Sequence, residues 1–586
     1  MSTLLARLGR GTCLAVLVAL APGGASASLS GAYLAAMQAD FRNDYVAAAD
    51  YVDQALVSDP DNPGLLQNGI VANVAEGDAT RGGELAERML KIVPDHQLAI
   101  VVRLAGQIAA EEWDAAGETL KAAGPALNPL LSGLLTGWIA VGREDYDAAF
   151  AAFDAMTGNE ALVAYGQYHK ALALALAGDF NQAATILQGD ANGPLHLNLG
   201  AVVARVQILA QIDRTDEARA ILDAALADGI PNAVLIDLRR RLEAGEEVGF
   251  TKVGDARGGA AEAFLTLADA LDTPETERLA LIHARLASQI DPGEVEAQLV
   301  ASEILDREGQ PKLAAAALAD VPADSPWFVT SEIRRAATQR AAGDAEAGIA
   351  TLEALRAAHP QEIEVHSALG DALRIAERFP EAAVAYDGAI ALADPPQPAH
   401  WALFYTRGIA RERSGDWDGA ETDFREALVL SPDQPLVLNY LGYSLVERRK
   451  NLDEALAMIE KAVQGEPEDG YITDSLGWVL YRLGRYEEAV KPMMRAVELT
   501  PADAVINDHL GDVLWKVGRT REAEFQWRRA LSLGPTTDLD MDRIRRKLAE
   551  GLDAVLAAEA AAPTPTVPQA PAPAVPQAPT SGPDGG

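Results

Sequence analysis

Asn439-Tyr440-Leu441-Gly442-Tyr443, Asp474-Ser475-Leu476-Gly477-Trp478 and Asp508-His509-Leu510-Gly511-Asp512 are three variants of one short phrase. Together with Gly408 they place glycines at intervals of 34, 35 and 34 residues. Alanines follow in step at Ala420, Ala455, Ala489 and Ala523, and again at Ala427, Ala462, Ala496 and Ala530. Each unit ends on a proline: Pro432, Pro467, Pro501 and Pro535. Small residues at fixed positions mark points where two helices cross closely. Proline stops the second helix because it lacks an amide donor and clashes with the preceding turn. Between these landmarks the apolar residues return every three or four positions, as a helix with one buried stripe requires.

Four landmarks recurring in phase at a 34-residue period are the pattern of the tetratricopeptide repeat. The expected fold is therefore all-α, a helix-turn-helix superhelical solenoid of about a dozen repeats. Working outward, residues 397–535 are the regular repeats and 260–396 are repeat-like units closing near Pro292, Pro326, Pro360 and Pro395. Residues 28–241 read as a degenerate N-terminal solenoid. Its units pass through Ala48 and Ala55, Gly137 and Ala149, Ala171 and Ala183, and Ala218, with prolines at Pro60, Pro94, Pro129 and Pro231. Residues 242–259 break the pattern with turn-rich runs such as Gly254-Asp255-Ala256-Arg257-Gly258-Gly259. They read as an irregular connector, either a hinge or an insertion within a continuous superhelix. Residues 536–560, with Ile544, Leu548, Leu552 and Val555 in helical register, are expected to cap the last apolar face. Residues 561–586 are rich in proline and alanine, cannot pack a core, and are expected to form a disordered tail.

Residues 1–27 have the build of a signal peptide. Arg7 and Arg10 precede an apolar run from Cys13 to Ala21, and Ala25-Ser26-Ala27 is a cleavage motif. The apolar run is shorter than a bilayer-spanning helix needs, and no other run approaches that length. The expectation is an exported, periplasmic protein with no integral membrane segment in the mature chain. Cys13 is the sole cysteine, so the mature chain would carry neither disulfides nor thiol chemistry. Of the 586 residues 86 are acidic and 49 basic, a formal charge of -37 that repels nucleic-acid backbones. Aromatics make up only 5%, which suits close helix packing through alanine rather than a β-sandwich.

No catalytic pattern is present. The eight histidines are scattered, and there is no zinc-protease motif, no phosphate loop and no nucleophile elbow. His359 and His366 flank Glu362 and Glu364, but Pro360 sets the two histidines across a turn rather than on one helix face. The chain is read as a non-enzyme without cofactor or metal. A run of basic residues from Arg519 to Lys547 is interleaved with Glu522, Glu524, Asp538, Asp540 and Asp542, and reads as a solvated face.

In this repeat class the first helix of each unit lines the concave face. Its groove side chains stand three before, one after, and four and five after the glycine. Applied to the regular units, this selects Tyr405, Asn439, Tyr443, Asp474, Trp478, Tyr481, Asp508, Asp512 and Trp515 as a candidate protein-binding groove. Asn439, Asp474 and Asp508 form a polar ladder able to hydrogen-bond an extended peptide. The neighbouring aromatics offer anchor area at low entropic cost.

The same runs, with Leu452-Asp453-Glu454-Ala455, resemble envelope repeat proteins of Gram-negative bacteria over about Trp401 to Pro535. That family includes the outer-membrane lipoprotein adaptor of a carboxyl-terminal processing protease. The resemblance implies a periplasmic scaffold that binds protein partners, with presentation of substrates to such a protease as its sharpest form. The adaptor is lipidated, whereas Arg10-Gly11-Thr12 before Cys13 is no acylation box, so anchoring does not carry over. The alternative is a structural component of an envelope assembly or export complex.

Overall fold

The computed structural model describes residues 29–158, 160–189, 199–227, 232–535 and 539–561. The expected leader (1–27) and all but the first residue of the expected tail lie outside them. Among the described residues every regular element is helical. The chain divides into two compact units, whose described residues fall within 29–227 and 232–322, and within 323–561.

The first unit opens with six helix pairs. They are α1 (Leu29–Phe41) and α2 (Tyr45–Leu56), α3 (Pro63–Glu76) and α4 (Ala79–Ile92), and α5 (Gln97–Ala109) and α6 (Trp113–Ala123). The next three are α7 (Pro129–Gly142) and α8 (Tyr146–Ala155), α9 (Val163–Leu176) and α10 (Phe180–Leu187), and α11 (Leu199–Ala210) and α12 (Thr215–Ala227). Then come α13 (Ala233–Ala244), an extended stretch, α14 (Ala256–Leu271), α15 (Glu277–Ile290), α16 (Val295–Arg307) and α17 (Pro311–Ala317).

The second unit also holds six pairs. They are α18 (Phe328–Ala341) and α19 (Ala345–Ala358), α20 (Ile363–Ile375) and α21 (Phe379–Leu392), and α22 (Trp401–Arg413) and α23 (Trp417–Leu430). After these come α24 (Pro435–Glu447) and α25 (Leu452–Gly465), α26 (Gly470–Arg482) and α27 (Tyr486–Leu499), and α28 (Ala504–Lys516) and α29 (Thr520–Ser532). It closes with α30 (Met541–Glu550) and α31 (Leu552–Ala561).

The periodic glycines are places where no side chain fits. A Cβ on Gly408 would stand 2.6 Å from Phe424, one on Gly442 2.8 Å from Ile459, and one on Gly477 2.5 Å from Met493. At Gly511 it would overlap Trp527, and at Gly137 Phe153. In each case the glycine on the first helix receives a large side chain from the second. The periodic alanines Ala420, Ala427, Ala455, Ala462, Ala489, Ala496, Ala523 and Ala530 are wholly buried beside these contacts. Burying each of the larger apolar side chains contributes about 1.5–3 kcal/mol, which is what holds one pair closed.

The turn within a pair is also local chemistry. Gly415 adopts a left-handed φ of 88°, and Asp416 after it accepts a hydrogen bond from the Gly419 amide at 3.1 Å, capping α23. Asp44, Asp78, Asp145, Asp179 and Asp344 cap α2, α4, α8, α10 and α19 in the same way. Successive first helices touch directly, α18 with α20, α20 with α22, α24 with α26 and α26 with α28, so they form the inner face of the second unit.

Three placements differ from simple repetition. The segment after the connector does not lengthen the row. Instead α14 packs on α5, α7 and α9, and α15 packs on α3 and α5, against the first helices of the early pairs. The stretch between α13 and α14 lies within the first unit and is pinned to α11. Gln207 Oε1 accepts from the Thr251 and Lys252 amides at 2.9 and 3.1 Å, and Gln211 donates to the Val248 carbonyl at 2.7 Å. The terminal cap is two helices rather than one, broken at Gly551, whose φ of 84° suits glycine alone and whose missing Cβ leaves room for Trp515.

Candidate protein-binding groove

The nine predicted residues stand on α22, α24, α26 and α28, the first helices of their pairs, and there they divide into two groups. The first is the lower ladder and its aromatics, all engaged internally. Asp474 on α26 meets His509 Nδ1 at 2.9 Å. Burial pushes the His509 imidazole pKa down, but Asp474, with Asp508 and Asp512 beyond it, outweighs burial and raises it. Trp478, half-buried, is stacked between His509 at 4.0 Å and Tyr481 at 4.8 Å, with its indole N–H donating to Glu447 at 3.0 Å. Arg482 pairs with the same Glu447 oxygen at 2.7 Å.

At the end of the row, Asp508 and Asp512 receive Lys547 Nζ at 2.7 and 2.6 Å. Asp512 also accepts the Trp527 indole N–H at 3.0 Å. Lys547 is 1% exposed, so the cap inserts one ammonium between two buried carboxylates. Trp515 is half-buried and donates to Asp553 of α31 at 3.0 Å, beside the Lys516–Asp553 pair. The cap therefore covers Asp508, Asp512 and Trp515.

The second group lies on α22 and α24. Tyr405 and Tyr443 are buried, and Tyr405 meets Tyr440 edge to face at 5.9 Å. Asn439 is 4% exposed, and among the described residues its amide oxygen has no hydrogen-bond partner. Leaving such a group unsatisfied costs about 1–3 kcal/mol.

Sequence reasoning did not single out His509 or Asp553, and it put Lys547 on a solvated face, whereas Lys547 is buried because Asp508 and Asp512 draw its ammonium inward. One signal for Lys547 was available: it falls in phase with Ile544, Leu548 and Leu552, a charge on an apolar stripe. The remaining basic residues of that region are mostly paired locally, Arg519 with Glu522, Arg528 with Glu524, Arg545 with Asp542 and Arg543 with Glu559. His366 Nε2 lies 3.0 Å from the Pro360 carbonyl, within the turn that separates it from His359.

The inner face of the first unit is filled by the chain itself. Trp138 follows Gly137 as Trp478 follows Gly477, and Tyr168 precedes Ala171 by three as Asp474 precedes Gly477. Trp138 is fully buried beneath Gly259 of α14, where a Cβ would overlap its ring. Its indole N–H donates to His169 Nδ1 at 2.9 Å. The other ring nitrogen must then carry the proton, which it donates to Thr266 at 3.1 Å. Burial depresses the His169 pKa to about 3, so the ring is neutral. Tyr168 donates to Glu262 at 2.7 Å.

Glu262, Glu294 and Glu296 lie close enough together to share a cation, and Lys252 provides it, 2.8, 3.5 and 2.5 Å from the three. Burial alone would discharge this ammonium, but the three carboxylates outweigh it and hold its proton. Burial pushes the Glu294 carboxyl up to about 8.

Residues 360–534 match the tetratricopeptide repeat family. A TPR repeat-containing protein of Pseudomonas aeruginosa is 40% identical over 83 residues, which is 14% of this chain and 14% of that protein. Among solved structures, a tetratricopeptide repeat protein from Parabacteroides merdae is 17% identical over 43% of this chain and 97% of its own, with a TM-score of 0.35. Yeast Tom70 is 14% identical over 91% of this chain and 96% of its own, with a TM-score of 0.28. Residues 360–534 thus carry tetratricopeptide repeats, and helix pairs of the same helix-turn-helix build precede them.

Proposed function

We propose that this protein is a non-catalytic scaffold that binds an extended segment of a protein partner along the inner face of its second unit. The observation that carries the reading is Asn439. Its buried amide oxygen is unsatisfied on α24, the helix that also carries the buried Tyr443, and a partner's backbone N–H would satisfy it. Downstream, Trp478 and Tyr481 present a stacked aromatic platform held by Glu447 and His509.

The setting is the periplasm, on the strength of the basic, apolar and Ala-Ser-Ala segments of residues 1–27. In its sharpest form the scaffold presents substrates to a carboxyl-terminal processing protease.

The test is capture from periplasmic extract by wild type, Asn439→Ala, and Trp478→Ala with Trp515→Ala, followed by mass spectrometry and thermal melting. The reading expects a processing protease and its substrates with wild type, lost from Asn439→Ala although that variant melts no lower. A stoichiometric secretion or synthase complex, indifferent to these changes, would instead mark a structural component of an assembly machine.

A further inference from the structure

We infer that the inner face of the first unit is a helix-binding site and that α14, with the extended stretch before it, is its resident intramolecular ligand. A protein partner of this face would then be a segment of the same build, an extended lead followed by a small-faced helix, entering by exchange with α14. The inference concerns the first unit alone, so its failure leaves the reading of the second unit standing.

Three features of the contact carry it. First, α14 is seated on groove positions, not on the repeat-to-repeat seam: Trp138 and Tyr168 occupy the places that Trp478 and Asp474 hold in the second unit. Second, its centre is directional and polar. Glu262 and Thr266, one turn apart on α14, take the Tyr168 hydroxyl and the His169 ring, while Gly259 permits backbone approach to Trp138. Buried polar pairs add little net stability and instead select one register, which is the behaviour of a recognition contact.

Third, the lead segment is bound as a peptide would be, through its backbone. Gln207 accepts from two successive amides and donates to Thr251 Oγ1 at 2.9 Å, and Gln211 grips a carbonyl. Lys252 then ties this lead to Glu262 on α14, so the two travel together. The ligand class follows: an extended stretch carrying a lysine, then a helix with a Gly-Gly step and a carboxylate and hydroxyl at i and i+4.

The test uses a labelled peptide of residues 246–271 added to the full-length protein. In wild type the resident helix holds the site. In Gly259→Leu the resident cannot seat against Trp138, so the peptide should bind about 100-fold more tightly than to wild type, the factor expected when the open fraction rises from about 1% toward unity. A peptide carrying the same Gly259→Leu change should not bind. A folded Gly259→Leu chain that binds the peptide no better than wild type overturns the inference.

Native-state hydrogen exchange of wild type gives a second reading that needs no variant. The inference expects α14 amides to exchange through an opening that leaves α3, α5, α7 and α9 protected. Exchange of all five in a single step overturns it.

Discussion

The inner faces of the two units solve one problem in opposite ways. Both are lined by aromatic and polar side chains at the same repeat positions, and both bury charge. In the first unit every polar centre described above on that face is answered by α14 or the stretch before it. Tyr168 meets Glu262, and His169 meets Thr266. In the second unit a returning segment reaches only the far end, through Lys547 and Asp553 of the cap; Asp474 is met by His509 of the next repeat, and Asn439 is left unsatisfied. A filled groove yields order at the expense of access, whereas a half-filled one suits the partner site proposed above.

The comparison can be broken most forcefully at the cap. Lys547→Met leaves Asp508 buried without its cation and Asp512 with Arg543 alone, 3.6 Å away, and losing one partner of such a group costs about 3–5 kcal/mol. Urea unfolding should show the last repeats melting early while the first unit is unmoved. Restoring stability by adding Asp508→Leu and Asp512→Asn would show that the loss is electrostatic.

pH should act on the first unit with the opposite selectivity. His169 falls from its ordinary 6.5 to about 3 on folding, so its contribution is present above pH 6.5 and is lost as pH falls from there toward 3. Glu294 rises from 4.5 to about 8, so its contribution is present below pH 4.5 and is lost as pH rises toward 8. Each slope is on the order of 1 kcal/mol per pH unit, and they oppose one another between the two ordinary values. The melting temperature of the first unit should therefore be flat from about pH 4.5 to 6.5 and fall on either side. A His169→Gln variant should keep the alkaline fall and weaken the acid one, the remainder coming from His283, whose pKa burial also lowers.

A smaller effect tests a landmark. Gly511→Val forces a branched side chain into Trp527 and should destabilise the second unit by about 1–3 kcal/mol, the usual cost of overpacking. The smallest effect has the reverse sign. Asn439→Ala removes an unsatisfied buried amide and should stabilise the second unit by up to about 1 kcal/mol. A loss of stability there would mean that Asn439 serves packing rather than recognition.

Much of this was legible along the chain. Gly442, Gly477 and Gly511 with Ala455, Ala489 and Ala523 announce helix pairs because a close crossing tolerates no Cβ, a constraint between residues about 16 positions apart. Trp478 and Asp474 were expected on the inner face from their offsets to Gly477 in the repeat class's geometry. His509 and Lys547 escaped because their partners lie 35 and 39 residues away, beyond any helical period. The placement of α14 escaped most completely. Its small residues fit a repeat as well as a groove, and Tyr168 with Glu262 is a contact 94 residues long.

The repeat phrase that runs from Asn439 to Asp512 thus determined the helix pairs, their crossings and which helix lines the inner face, because those depend on neighbours within one period. Which inner face stays open was decided only by the tertiary structure. That outcome rests on whether a distant segment, Lys252 with α14 or Lys547 with the cap, returns to neutralise and satisfy the groups the repeats had buried.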